Sequence, residues 1–185
     1  MQQLTKACEL LLHELVWVIS SVTDKDFCTP STVLGGSTIG QHVRHTIEFF
    51  YCLKKGMRTG VVNYDNREHD RKLEIDRFLS INALGEVERF VGSVQEDVNL
   101  TLEVGYGRDS DDTCRISTSF HRELACNIEH LIHHMAIVRI GLREVACHVR
   151  LPADFGIAAS TMRYRTALQE SGFPQVENVA DRQVD

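Results

Sequence analysis

One long amphipathic pattern in the second half of the chain constrains the fold more than any other feature. It begins at Phe120 and continues to about Glu144. Its apolar positions are Phe120, Leu124, Ile128, Leu131, Met135, Val138 and Leu142. A recurrence every three or four residues predicts an α-helix with one apolar face. That face must be buried against other elements, so the pattern requires partner helices or a sheet.

Three further segments have the same periodicity and supply those partners. They run from Thr5 to Val22, from Ile39 to Gly56 and from Asn82 to Asp97, the last with an alternative start near Asp70. Ser37 or Thr38 can cap the second of these helices, because a hydroxyl oxygen accepts a free N–H of the first turn. Four amphipathic helices in one chain predict an all-α fold, a four-helix bundle.

The segments between the predicted helices differ in character. Residues 61–76 are highly charged and predict a long connection between the second and third helices. Residues 100–104 and 113–117 are rich in β-branched side chains and flank a polar loop, which predicts a short β-hairpin before the last bundle helix. We expect a bundle domain over residues 1–150 and a C-terminal extension over 151–185, packed on the bundle and frayed from about Gln175.

Composition excludes several classes of protein. The chain has 185 residues and a formal net charge of −6, which does not suit binding to nucleic acid. No apolar run approaches the roughly 18 residues that a membrane span needs. The N-terminus enters a helical pattern without an apolar signal core, which predicts a cytoplasmic protein.

The six cysteines form no CxxC pair, so a zinc ribbon is excluded. We expect most of them to be buried as small apolar side chains.

The positions of the histidines are the most informative feature for function. Five of the nine fall into two windows, His42/His45 and His130/His133/His134. On an ideal helix, His130 and His134 project from one shoulder of the apolar stripe, one turn apart, while His133 points away. His42 and His45 share one shoulder of the second helix, and the helical wheel slightly favours His42 as a third partner.

Three imidazoles from two helices could hold Zn²⁺, Ni²⁺ or Fe²⁺ with open coordination positions. The alternative is that these histidines are hydrogen-bonded core residues.

Two segments resemble the DinB-like (DinB/YfiT) superfamily over about residues 1–145. They are residues 37–45 (STIGQHVRH), which open a helix after a Gly-rich turn, and residues 128–134 (IEHLIHH). The resemblance implies a four-helix bundle with metal ligands at His45, His130 and His134. It places His42 where the family usually has an apolar residue. It also implies a divalent ion, nickel or zinc in the first place, a homodimer, and thiol-dependent transferase or isomerase chemistry. Residues 135–137 (MAI) depart from the more polar run of many relatives, so the substrate class is not carried over.

Two functions are compatible with this pattern, and whether the protein is an enzyme stays open. The first is a divalent-metal-binding, thiol-dependent transferase or hydrolase that acts on a small molecule, with Fe or Mn as alternatives to Ni or Zn. The substrate would be a small molecule, with a low-molecular-weight thiol as one candidate. No general base accompanies the histidines, which argues against a protease. The second is a non-catalytic, stress-associated helical bundle that binds a small molecule or serves for dimerisation.

Other residues are candidates for roles around the site. Tyr64, Arg67 or His69 could line its mouth and hold an anionic group, or could belong to a solvated loop. Glu48 or Glu129 could orient a histidine from the outer shell, although the wheel turns Glu129 towards solvent. Three further groups have simpler expectations. We expect Trp17 and residues 49–51 in the core or an interface, and residues 151–164 packed on the core, at the open end of the bundle or at a dimer surface.

Overall fold

The long helices lie close to where the apolar periods predict them. The computed structural model describes residues 2–107 and 112–171. The long helices in these ranges are α1 (Gln2–Ser21), α3 (Ile39–Thr59), α5 (Arg77–Ser93) and α6 (Phe120–Val145), and the short ones are α2 (Asp24–Cys28), α4 (Arg71–Ile75) and α7 (Ala159–Glu170). The prediction of a mainly helical chain is therefore confirmed.

Local signals explain where α3 and α6 begin and where α3 ends. Thr38 caps α3 by accepting from the Gln41 N–H, and Ser119 caps α6. The predicted stop of α3 at Gly56 is wrong, because the helix continues to Thr59 and Gly60 takes the left-handed conformation at its end. Gly56 has a different role: Val62 packs so closely that a Cβ there would collide with it.

A small sheet corrects the all-α prediction. The expected hairpin is confirmed as β2 (Asn99–Val104) and β3 (Cys114–Ser119), which pair in antiparallel register. A third strand, β1 (Val61–Val62), pairs in parallel with β2 and was not predicted. Two residues are too short to show a period-2 pattern, so β1 gives no signal in the sequence.

The four long helices share one core. α3 packs against α5 and α6, and α1 packs against the same two helices. Fully buried side chains come from each of them, among them Leu15, Phe50, Leu84 and Phe120. The apolar stripes that define the helices in the sequence are therefore the surfaces that meet in the interior.

Three short elements were missed or misplaced. Residues 24–28 form the short helix α2, which begins with a capping box made by Thr23 and Asp26. The predicted third helix begins at Arg77, with the separate helix α4 before it. Asp76 breaks the two apart, since its side chain accepts the Leu79 N–H and caps α5. α7 was expected only as part of a folded extension.

Within the predicted C-terminal extension, Phe155 is fully buried and belongs to the common core. The predicted frayed tail from Gln175 lies outside the described residues. The division into domains at residue 150 stays a prediction.

One expectation about burial is wrong, and one alternative of a second is excluded. Only Cys8 and Cys52 are buried, whereas Cys114, Cys126 and Cys147 are exposed. Trp17 is 51% exposed, which excludes the core, while the other expected location, an interface, stays a prediction. None of the helices in the described ranges combines the length and the apolar character needed to cross a bilayer.

Candidate metal centre

Three histidines from two helices come together at one point between α3 and α6. One nitrogen from each of His45, His130 and His134 lies within 4.8 Å of the other two. The ring centroids are 5.0 Å apart for His45 and His130, 4.6 Å for His45 and His134, and 4.5 Å for His130 and His134. We refer to these three residues as the histidine triad.

The helical geometry predicted from the sequence accounts for this arrangement. His130 and His134 are one turn apart on α6, so their rings project over the same surface. α3 packs directly against α6 and supplies His45 from the facing surface. His133 is exposed, as its wheel angle predicts, and takes no part in the triad.

Burial keeps the triad unprotonated. Removal of the rings from water lowers the pKa of His45 and of His130 to about 4, and that of His134 to about 3. Neighbouring imidazoles add to the effect at all three residues, and Arg67 adds to it at His45 and His130. Neutral imidazole is the form that binds a metal ion, so the triad is ready for one at neutral pH.

The donor set fits a divalent ion by a second criterion. Nε2 of His130 is buried and has no hydrogen-bond partner among the described residues. Buried nitrogens are normally paired, so an orphan at the centre of an imidazole cluster suits a coordinating atom. His45 and His130 are only partly buried, so the triad is not sealed from solvent.

Stacked aromatic rings pack beside His130. The Phe49 ring stacks on the His130 ring at 4.0 Å and on the Tyr64 ring at 4.8 Å. The Arg67 guanidinium lies 5.2 Å from the centre of the Phe49 ring and donates to the Tyr64 carbonyl. Tyr64 and Arg67, from the charged connection, therefore reach the surroundings of the triad.

Tyr64 is held by a buried polar network that sequence reasoning missed. Its hydroxyl donates to Glu123 at 2.8 Å and accepts from Asn127 at 2.7 Å. Glu123 is 1% exposed and also accepts from Thr118 at 2.6 Å. Burial and Glu123 raise the pKa of Tyr64, so its hydroxyl remains a donor. Glu123 and Asn127 are both polar positions on the apolar face of α6, which is the signal that could have identified them.

His42 lies next to the triad but outside it. Its Nδ1 is 3.2 Å from Nδ1 of His134, and the two ring centroids are 5.3 Å apart. The group of mutually close nitrogens contains His45 and not His42. The slight preference of the helical wheel for His42 as the third partner is thus wrong.

The remaining candidates have other partners. His69 is exposed, its Nδ1 lies 3.0 Å from a guanidinium nitrogen of Arg44, and it is not among the three clustered histidines. Glu48 is buried but accepts from the backbone N–H of Asp70 at 2.8 Å instead of orienting a histidine. Glu129 is exposed, as expected.

A small pocket is lined by α3, by the charged connection and by α4. It has a volume of about 60 Å³ and is lined by residues that include Glu48, Cys52, Lys55 and Arg67. None of the triad histidines lines it. Arg67 is the link between the two places, since it lines the pocket and also lowers the pKa of two triad histidines.

Comparison with known proteins gives no relative. Neither protein-family models, nor curated proteins, nor solved structures contain a match to this chain.

Proposed function

We propose that this protein is a DinB-like four-helix bundle whose histidine triad binds a divalent metal ion, nickel or zinc in the first place and iron or manganese as alternatives. The observation that carries the proposal is the convergence of His45, His130 and His134 within 4.8 Å. The pairwise packing of the four long helices supports the bundle. The ordered histidine motifs support the resemblance.

The site is of the open type. Three imidazoles leave coordination positions free, whereas structural zinc sites are closed by four protein ligands. The partial burial of His45 and His130 supports access of a small molecule to the triad. A divalent ion held in this way lowers the pKa of a water or thiol that reaches it.

The chain's own residues suit a small anionic reactant. Arg67 brings a fixed positive charge near His45 and His130, and its Nε is buried without a partner among the described residues. A guanidinium in this position can hold a thiolate or a carboxylate. Phe49 covers one face of the His130 ring by stacking, and Tyr64 stacks in turn on Phe49. We therefore propose thiol-dependent transfer or hydrolysis of a small molecule.

Dimerisation is part of the proposal. Leu10 and Trp17 lie two helical turns apart on α1 and are 56% and 51% exposed. Large apolar side chains on one outer helix face are typical of an association surface. This supports the homodimer that the family resemblance implies.

The second candidate is a non-catalytic, stress-associated bundle that binds a small molecule. One observation favours it: the small pocket is lined by none of the triad histidines. In that case, loss of a triad histidine would alter metal content or stability without removing a turnover.

Metal content is the decisive measurement. The purified, untagged protein is supplied with Ni²⁺ or Zn²⁺, freed of excess, and analysed by elemental mass spectrometry, together with His134→Ala. The exposed neighbour His133→Ala is the matched control. We expect about one ion per chain in the wild type and in the control, and its loss in His134→Ala. Absence of metal from the wild type would refute the proposal.

If the ion is bound, thiol-dependent transfer reactions are screened with the wild type and His134→Ala. A turnover that disappears with His134 supports the enzyme, and a metal-loaded protein without turnover supports the non-catalytic bundle.

A further inference from the structure

His42 makes a specific contact with one member of the triad. Nδ1 of His42 and Nδ1 of His134 are 3.2 Å apart, which is hydrogen-bond distance. His42 lies in the first turn of α3, immediately after the capping box of Thr38 and Gln41. The Thr46 hydroxyl donates to the His42 carbonyl at 3.1 Å. The ring is therefore presented from a well-anchored part of the helix.

The position of the proton in this contact decides what His134 can do. In a neutral imidazole one nitrogen carries hydrogen and the other carries a lone pair. If His42 donated, His134 would accept at Nδ1 and carry its own hydrogen on Nε2, so it would have no lone pair left for a metal. If His134 donates from Nδ1, its Nε2 is free to bind. Only the second arrangement is compatible with a triad that holds an ion.

The same arrangement explains an otherwise unfavourable feature of His42. When Nδ1 of His42 accepts, its Nε2 must carry the hydrogen, and this nitrogen is buried without a partner among the described residues. An unpaired buried donor is destabilising, and an apolar side chain would avoid it. A histidine at this position is explained, despite its unpaired Nε2, if its Nδ1 accepts a hydrogen bond that an apolar side chain could not accept.

From these observations we propose that His42 is a positioning residue for the metal site. It accepts a hydrogen bond from Nδ1 of His134, sets the tautomer of that ring and leaves Nε2 as its ligand atom. Imidazole ligands commonly have such a partner on the second nitrogen, and its loss weakens metal binding. The proposal rests on metal binding by the triad and assigns an additional role next to it.

Co²⁺ titration of four proteins tests this role. They are the wild type, His42→Leu, His42→Asn and the control His133→Leu. Leucine removes the acceptor, and asparagine keeps an oxygen near the place of Nδ1. His133 is a suitable control because its ring also contacts His134, at 5.4 Å, but it is exposed and makes no such bond. Affinity is measured from the visible absorption of bound Co²⁺.

We expect His42→Leu to bind Co²⁺ about 10- to 100-fold more weakly than the wild type. His42→Asn should recover most of the affinity, and His133→Leu should match the wild type. In the Zn²⁺-loaded wild type, ¹⁵N NMR of the histidine side chains should show His134 protonated at Nδ1 and metal-bound at Nε2. A purely structural contribution of His42 would not determine this tautomer.

The outcomes separate this proposal from the metal site itself. Wild-type affinity in His42→Leu would overturn the role of His42 and leave the metal site intact. Equal losses in His42→Asn and His42→Leu with an altered Co²⁺ spectrum would make His42 a ligand and also overturn it. If His42→Leu does not fold, NMR on the wild type decides, because a metal bound at Nδ1 of His134 contradicts the proposal. Failure of the wild type to bind Co²⁺ would overturn the metal site and, with it, this role.

Discussion

Removal of a single hydroxyl from Tyr64 should destabilise the protein measurably. The substitution Tyr64→Phe keeps the ring that stacks on Phe49 and deletes only the O–H group. In the wild type this group donates to Glu123 at 2.8 Å and accepts from Asn127 at 2.7 Å. Any loss of stability therefore reports on the polar network and not on ring packing.

The size of the loss follows from the burial of Glu123. Its side chain is 1% exposed, so water cannot replace the lost donor. A hydrogen bond to a charged group contributes about 1.5 to 3 kcal/mol, and a buried acceptor left unpaired belongs at the upper end. Asn127 keeps a second acceptor, the Glu123 carbonyl, which limits the additional cost. We expect the free energy of unfolding to fall by about 2 to 3 kcal/mol, or Tm by about 4 to 12 °C for a chain of this size.

Tyr51→Phe is the matched control for this measurement. Tyr51 also donates to a glutamate, Glu86, but over 3.4 Å and at an exposed site. Its loss should change stability by at most about 0.5 kcal/mol. Urea unfolding followed by circular dichroism measures both variants. Equal effects in the two variants, or a change below about 0.5 kcal/mol for Tyr64→Phe, would refute the argument from burial.

Two further predictions concern pH and backbone conformation. The triad histidines have pKa values of about 4 or about 3 in the folded chain, against about 6.5 when unfolded. As pH falls below about 6.5, the unfolded chain therefore binds protons first, and the stability of the metal-free protein should decline towards pH 4. Urea midpoints at pH 7.5 and 5.0, in EDTA, test this, and replacement of one triad histidine by asparagine should reduce the decline. An undiminished decline in that variant would contradict the assignment. Gly156→Ala should cost more stability than Gly60→Ala, as measured by thermal unfolding. Both glycines have positive φ, but only at Gly156 would a Cβ approach backbone, lying 2.5 Å from the Ala136 nitrogen. A cost at Gly60 that equals the cost at Gly156 would show that the close approach has no effect.

Strong periodic signals made much of the fold predictable. The apolar stripe from Phe120 and the hydroxyl cap at Ser37 or Thr38 are local features, so they predict α6 and α3 without tertiary information. β1 could not be predicted in the same way. It consists of Val61 and Val62, and its existence depends on β2 as a pairing partner some forty residues away.

The same distinction between local and tertiary information applies to the candidate site. The spacing of His130 and His134 is a property of one helix, and the sequence by itself determined that both rings project over one turn. It also determined that a second helix offers a histidine, but not which one. His42 and His45 lie on the same shoulder of α3, and the choice depends on how α3 packs against α6, which brings His45 into the triad and turns His42 to Nδ1 of His134.

The buried polar contacts and the pKa values of the triad depend on tertiary structure. Tyr64 comes from a charged connection and Glu123 from the apolar face of α6. Nothing in the sequence indicates that these two side chains form a hydrogen bond. Their contact forms only when the connection packs against α6. The low pKa values of the triad likewise arise only when the packed helices remove the histidines from water. Local spacing thus determined which side chains share a helix face, because that depends on backbone geometry alone. Tertiary structure decided which of them meet and lose water, because that depends on the packing of distant segments.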